Sequence, residues 1–316
     1  MSESDNLLRR GVKLAHLRLM AALAETGQLG LAADLMGVAQ PAASRLLAEV
    51  ERITGQPVHL RTGRGITLTP MGLALARRAA RVVTELRDAG REMEELAGGG
   101  AGHVRIGSVT GPALDRVLPA LRTARLALPQ VSAEVVVAPS DLLGQQLLAG
   151  RMDFALGRMP LGMEGELTLS APLGVEPVAL MVRKGHRLAH GERIDPLELM
   201  DFDWVMPGPE ALLTRAVMGR LADLGLPQPP QRLATSSFLL TLALIQQSNA
   251  IAPLARAVCD RFAGTGSPYV ILPVDMGIVV EPFGLLTRTG AILTPVAARL
   301  CSMVMAQGGE GPETGD

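Results

Sequence analysis

Apolar residues recur at helical spacing over roughly the first hundred positions, and short apolar runs then alternate with amphipathic stretches. Leu14, Leu17, Leu19, Met20, Leu23 and Ala24 mark one helix, and Ala32, Ala33 and Leu35 a second. Gly37 and Val38 interrupt the pattern before a third apolar run from Pro41 through Ala43, Leu46, Leu47 and Val50. Two short amphipathic helices joined by a tight turn containing Gly predict a helix-turn-helix. Pro41 suits the first turn of the second helix, where its missing N–H leaves no bond unmade. Gln40, Ser44 and Arg45 then project from the first turns, the part of a recognition helix that meets bases and phosphates. Next comes GQPVHLRTGRGITLTP, residues 55–70, which predicts strands at 58–60 and 66–68 around a tip at 61–65. This is a small wing carrying Arg61 and Arg64, placed for phosphate or minor-groove contact.

From Met71 to about Leu96, residues Leu73, Ala76, Ala80, Val83, Leu86 and Met93 recur near heptad spacing and predict a long helix. No neighbouring segment of sequence would bury that stripe, so pairing with a second copy is expected. AGGGAG at 97–102 reads as a hinge. Beyond it, strands are expected at 103–108, 131–137, 153–157, 168–173, 177–183, 203–206, 231–235, 269–274 and 278–287. Helices are expected at 112–128, 141–149, 210–224, 237–247, 254–262 and 294–306. That alternation predicts a mostly parallel α/β sheet, and about 205 residues suit two small lobes with a ligand cleft between them. The tail from Gln307, rich in Gly, Pro and acid, is expected to be disordered.

Charge sharpens the division. Between Arg9 and Arg81 stand eleven Lys/Arg and four acids, a net +7, while the remainder carries −8. A basic head on an acidic body is expected when only the head meets nucleic-acid phosphate. Aromatic residues make up 2%, so the cores must be built from Leu, Val, Ala, Ile and Met. The polar start MSESDNLLRR is no secretory signal and no apolar run reaches membrane-spanning length, so a cytoplasmic protein without a membrane partner is expected. Cys259 and Cys301 form no spaced cluster, and His16, His59, His103, His186 and His190 show no metal spacing. AGGGAG is neither a phosphate loop nor a dinucleotide signature. No metal, cofactor or catalytic residue is therefore expected, and the chain reads as no enzyme. Taken alone, the α/β half would also suit a small-molecule-binding protein with no role at DNA.

The order of parts, over essentially the whole chain, resembles the LysR-type transcriptional regulators. The matching residues are Leu17, Gly27, AA-x-L at 32–35, V-x-QPA-x-S at 38–44, Glu51, Gly55, R-x-GRG at 61–65 and LTPMG at 68–72. VRIG at 104–107, AGRMDFALGR at 149–158 and NAIAPLA at 249–255 are similar to that family's effector domain. The chain departs from the pattern at Gln28, at Ala39 before the Gln-Pro pair, at His59-Leu60 and at Asn249. A hydroxyl is lost as N-cap at Ala39, a change that costs about 1 kcal/mol of helix stability.

The resemblance implies an α+β multidomain chain. A winged helix-turn-helix would occupy 1–72, a linker and dimerisation helix 73–97 and a hinge 98–102. A two-lobed α/β effector domain resembling periplasmic binding proteins would fill 103–307, with lobe I at about 103–175 and 277–307 and lobe II at about 176–276. The tail would be 308–316. It implies an activator or repressor that binds double-stranded promoter DNA, answers to a small co-inducer, contacts RNA polymerase, and assembles as a dimer and then a tetramer. Carried over residue by residue, Gln40, Pro41, Ser44 and Arg45 match the recognition-helix contacts, and Arg61 and Arg64 the wing. Thr110, Ser140, Arg158, Pro207, Gly208, Ser236 and Ser237 match the effector cleft. Hydroxyls and backbone N–H groups at strand-to-helix turns suit an anion, or else serve as helix caps. Arg158 could clamp a carboxylate or pair with Glu164 or Glu166. A small organic anion is the expected effector, with a sugar-type molecule the alternative. Trp204, on the apolar run DFDWVMP, reads as core rather than as a stacking platform.

Overall fold

A computed structural model describes residues 6–63, 65–191, 193–231 and 233–307. Arg64 and residues 308–316 of the expected disordered tail lie outside the described residues. A short α1 (Asn6–Arg9) precedes α2 (Leu14–Thr26), α3 (Leu29–Met36) and α4 (Gln40–Thr54). Gly27 and Gly37 close α2 and α3 in the left-handed conformation, which makes both turns tight. Ala32, Ala33 and Ala43 are almost fully buried where the helices cross, together with Leu19, Met20, Leu23, Leu47 and Val50. Methyl-sized side chains at the crossing let α3 and α4 approach closely. His16 is also buried, its Nδ1 accepting from the Lys13 N–H at 3.0 Å and its Nε2 bonding Glu49 of α4 at 3.0 Å.

The wing is β1 (His59–Thr62) paired antiparallel with β2 (Gly65–Leu68). The long helix α5 (Pro70–Ala97) follows directly. Thr69 caps it, accepting from Gly72 N–H at 3.1 Å while its hydroxyl donates to the Pro57 carbonyl at 2.8 Å. A Cβ added at Gly72 would lie 1.9 Å from the Val58 carbonyl oxygen, so only glycine lets α5 start hard against the wing.

The apolar stripe expected along α5 needs correction. Ala76 and Ala79 belong to the winged core and pack with α2. The exposed apolar line of the second half is instead Val82, Leu86, Ala89, Met93 and Leu96, at spacings of four, three, four and three. The opposite face of that half is covered within the same chain, by polar contacts to the α/β region.

That region holds β3 (Gly102–Ser108), α6 (Thr110–Pro112), a π-helical turn (Ala113–Val117), α7 (Leu118–Ala127), β4 (Val131–Val137), α8 (Ser140–Leu148), β5 (Phe154–Gly157) and β6 (Leu167–Leu169). They are followed by β7 (Gly174–Arg183), β8 (Val205–Met206), α9 (Leu212–Asp223), β9 (Leu233–Ala234), α10 (Phe238–Gln247) and β10 (Ala252–Ala255). The chain closes with α11 (Arg256–Phe262), β11 (Tyr269–Ile271), β12 (Val279–Arg288) and α12 (Pro295–Ala306).

The sheet is not mostly parallel, as its alternation suggested. β3 pairs parallel with β4 and β5, and β8 with β9, but β12 is antiparallel to β5, β6 and β7, and β7 is antiparallel to β10 and β11. The reason is that β7 and β12 are long strands that cross side by side between two lobes. The first part of β7 pairs with the start of β12, and its second part enters lobe II beside β10 and β11. The second part of β12 enters lobe I beside β5 and β6. β10 was not anticipated: Leu254 and Ala255, expected to open a helix, pair with Ala179 and Val178 instead.

Each lobe sandwiches its sheet between helices, so its strands are apolar on both faces. On β7, Val178, Leu180 and Val182 face a core with Trp204, Val217 and Leu221, while Ala179 and Met181 face Leu242, Ile245 and Cys259. Lobe I repeats this with Phe154 and Leu156 toward α7 and α12 and Ala155 toward Leu143 and Leu147. Trp204 is fully buried and its indole N–H donates to the Leu199 carbonyl at 3.0 Å, in keeping with a core role. Among the described residues no helix is long and apolar enough to cross a membrane, and no cluster of His, Cys, Asp and Glu could hold a metal ion.

His186 is fully buried in lobe II. Its Nδ1 accepts from the Leu188 N–H at 3.1 Å and its Nε2 faces the Asn249 carbonyl at 3.1 Å. Burial holds its pKa below the ordinary 6.5. Folding thus favours the neutral ring, so its stabilising contribution is complete above pH 6.5 and declines as the pH falls below that value. The melting temperature between pH 7 and pH 5 should fall less steeply in His186→Gln than in the wild type, as read by thermal denaturation at matched ionic strength.

Candidate DNA interface and effector cleft

The start of α4 is exposed on one side and buried on the other. Gln40, Pro41, Ser44 and Arg45 face solvent, whereas Ala43, Leu47 and Val50 turn inward. Positions 40 and 44, and 41 and 45, are one helical turn apart, so the four share a face. Ala39 stands at the N-cap without a side-chain hydrogen bond, which leaves the first N–H groups of α4 free of a protein hydroxyl. Arg61 is exposed on the wing, and Arg64 lies outside the described residues. A bond from Ile66 N–H to the Gly27 carbonyl at 2.9 Å ties the wing to the turn between α2 and α3. Not every cation of the basic head faces the same way. Arg81 donates to the Thr289 carbonyl at 3.1 Å and Arg77 lies 3.8 Å from Glu166, both toward the α/β half.

The other candidate residues stand at the carboxyl ends of parallel strands, where α/β folds open their ligand crevices. Thr110 follows β3, Ser140 follows β4 and Arg158 follows β5, all in lobe I. Pro207 and Gly208 follow β8, and Ser236 and Ser237 follow the adjacent β9; a bond from Thr235 N–H to the Met206 carbonyl (3.0 Å) holds these two ends together. Ser237 caps α10, accepting from Leu240 N–H at 3.3 Å, while Ser236, Gly208 and Thr110 are exposed. The Ser140 hydroxyl oxygen accepts from the Arg158 backbone N–H at 3.0 Å, which joins the ends of β4 and β5.

Arg158 pairs with neither Glu164 nor Glu166. Its guanidinium donates through Nη2 to Glu176 Oε2 at 2.9 Å and through Nε to the Glu281 carbonyl at 2.7 Å. The second Glu176 oxygen accepts from Gly111 N–H at 3.0 Å. Arg158 is 7% exposed, so this network is buried where β7 and β12 cross. Sequence reasoning missed Glu176. Its signal was a single acid in the otherwise apolar strand GVEPVALMVR, which ordinarily needs a buried partner. The two cysteines are buried, and burial pushes the Cys259 thiol up to about 12 and the Cys301 thiol up to about 11, so neither is a ready thiolate.

A helix-turn-helix with an attached wing, a long helix and a two-lobed α/β domain are the parts of a bacterial transcription regulator. The chain belongs to the LysR family: residues 14–73 match the model described as bacterial regulatory helix-turn-helix protein, lysR family, and residues 97–308 the LysR substrate binding domain. It is 41% identical to the HTH-type transcriptional regulator GbpR of Rhizobium radiobacter, over 79% of this chain and 84% of that one. It is 32% identical to the GbpR of Azospirillum brasilense, over 92% and 85%. Among solved structures, the fold matches full-length CbnR complexed with its target DNA, at TM-score 0.61 and 21% identity, over 93% of this chain and 99% of that one. It also matches a full-length OxyR variant from Pseudomonas aeruginosa, at TM-score 0.66 and 19% identity, over 95% and 99%.

If α4 reads bases, Arg45→Ala should weaken binding to a cognate operator by about 1–3 kcal/mol and relax sequence preference. Arg61→Ala should weaken binding to all sequences alike and lower the slope of log affinity against log salt by about 1. Fluorescence anisotropy over a salt series separates the two outcomes.

Proposed function

We propose that this regulator inserts the start of α4 into the major groove, with Gln40, Ser44 and Arg45 as the readers, Pro41 setting the helix start and the wing arginines on the backbone. The exposed line Val82, Leu86, Ala89, Met93 and Leu96 supports pairing of α5 with a second copy, which would place two recognition helices on two half-sites. Strand β4 supports a further association: it is a sheet edge whose Val135, Val136 and Val137 are all exposed.

The input is a small molecule bound between the lobes, against Thr110, Ser140 and Arg158 on one side and Pro207, Gly208, Ser236 and Ser237 on the other. The Arg158–Glu176 pair carries the choice of ligand. An anion expected at a free Arg158 would have to replace Glu176, whose carboxylate already takes that guanidinium and the Gly111 N–H. The pair is charge-balanced and offers an acceptor beside a donor. A vicinal pair of hydroxyls satisfies both, giving a hydrogen to Glu176 and taking one from Arg158. A neutral polyhydroxylated effector is therefore the reading this geometry supports best, and a small organic anion is the second.

Thermal shift of the full-length chain against matched panels of neutral polyols and small carboxylates tests the choice. Stabilisation should come from polyols, and Glu176→Gln should weaken the best hit about tenfold or more, the loss of one charge-assisted hydrogen bond. Carboxylates that stabilise the chain, and do so more strongly in Glu176→Gln, would replace this reading by the anion. For the output, the chain should retard DNA from upstream of its own gene, with affinity falling as salt rises; no retardation in moderate salt, with or without the panel compounds, would sink the groove-insertion reading.

A further inference from the structure

In the second half of α5, the face opposite its apolar line carries Thr84, Asp88, Arg91 and Glu95, and it lies against lobe I. Thr84, Asp88 and Glu95 are buried. Asp88 Oδ2 accepts from Arg288 Nη2 at 2.6 Å. Arg91 Nη2 bridges Asp88 Oδ1 at 2.7 Å and Asp153 Oδ1 at 2.6 Å. Asp153 also accepts from the Arg105 backbone N–H at 2.7 Å and from Arg105 Nη2 at 3.2 Å. Glu95 takes the Thr294 hydroxyl at 2.8 Å and the Val296 N–H at 3.0 Å, at the start of α12. A Cβ on Gly150 would lie 2.3 Å from the Thr84 hydroxyl oxygen, so helix and loop touch closely. Burial alone would raise the pKa of Asp153, yet the bonds from Arg91 and Arg105 hold it below its ordinary 3.8.

An interface of buried, paired charges adds little net stability, because desolvation offsets most of the attraction. What it supplies is register: each bond is directional and is either made or broken. The far ends of the strands behind it lie in the cleft. Asp153 immediately precedes β5, which leads to Arg158. Arg288 ends β12, whose Glu281 carbonyl holds Arg158 Nε. β5 and β12 are paired at Leu156 and Leu285. Two neighbouring strands therefore each carry a cleft contact at one end and a partner of α5 at the other.

We propose that this polar seam is the coupling element of the regulator: a change at Arg158 and Glu176 moves β5 and β12, and Asp153 and Arg288 then re-seat Asp88 and Arg91, resetting how α5 is held on lobe I. It rests on the cleft reading above for where the ligand acts. A coupling claim requires an element that both sites bias, which the seam provides.

A double-mutant cycle in the full-length protein tests it without a known effector, using Glu176→Gln as the perturbation of the cleft. Asp88→Asn and Arg288→Met break the seam from opposite sides. Hydrogen exchange across 84–97 and the dissociation constant for DNA upstream of the chain's own gene are the readouts. Glu176→Gln alone should change exchange at 84–97 and shift the dissociation constant by about threefold or more. In either seam background that effect should vanish. Additive effects would overturn the proposal, as would Glu176→Gln altering exchange at Gly111 and β5 while 84–97 stays unchanged. If Arg288→Met does not fold, the Asp88→Asn cycle decides alone, since it keeps the side chain's shape. Failure of the cleft reading looks different: ligand stabilisation insensitive to Glu176→Gln, whatever the cycle shows.

Discussion

The crossing of β7 and β12 constrains everything beyond α5. The two strands pair only between Gly174–Pro177 and Val279–Phe283, with a shift of register inside that stretch, and then part into different sheets. Each lobe must therefore be completed by a strand that begins in the other. Separating the two strands there would tear a strand from each core. Glu176 lies on β7 at the crossing, and the Glu281 carbonyl on β12 holds the Arg158 side chain, so the Arg158–Glu176 pair is built on the crossing itself.

The chain separates two kinds of contact. Inside each unit, Leu, Val, Ala and Met are buried on one another, the non-directional and dominant source of stability. Between α5 and lobe I the hydrogen bonds are mostly ionic or to backbone groups, with one to the Thr294 hydroxyl. Arg151 reaches Glu25 of α2, and Arg77 lies near Glu166, both pairs being largely exposed and worth at most about 1 kcal/mol each. Units held this way keep their own folds while their relative placement stays adjustable. An apolar joint would resist that adjustment, since opening it exposes hydrocarbon to water.

Local patterning carried most of the secondary structure. The helical periods of α2 to α5, the Gly37 turn and the wing were legible because apolar spacing and turn glycines are properties of neighbouring residues. So were the lobe strands, as short apolar runs. The pairing of strands was not, since it depends on where β7 and β12 travel after leaving one lobe, and the strand at Ala252–Ala255 was hidden by the helix-forming residues after it. At the sites, α4 was legible because exposed and buried positions alternate within one helix. Glu176 and the α5 seam were not. Asp88, Arg91 and Glu95 sit at helical spacing opposite an apolar line, a pattern that ordinarily marks a solvated face; only the fold brings Asp153 and Arg288, distant in sequence, against them.

The scarcity of aromatic side chains has a practical side. The described DNA-binding half, through α5, contains no Trp, Tyr or Phe, and the single Trp of the chain, Trp204, is sealed in the core of lobe II with its indole bonded to the Leu199 carbonyl. Tyr269, the single Tyr, lies in the same lobe, on β11 beside β7. Ultraviolet emission from this protein is thus a signal from one lobe. Circular dichroism instead draws on helices throughout the chain, α1 to α5 and α6 to α12 alike. Followed together, the two spectra show whether lobe II loosens with the rest of the molecule or apart from it, with no label attached.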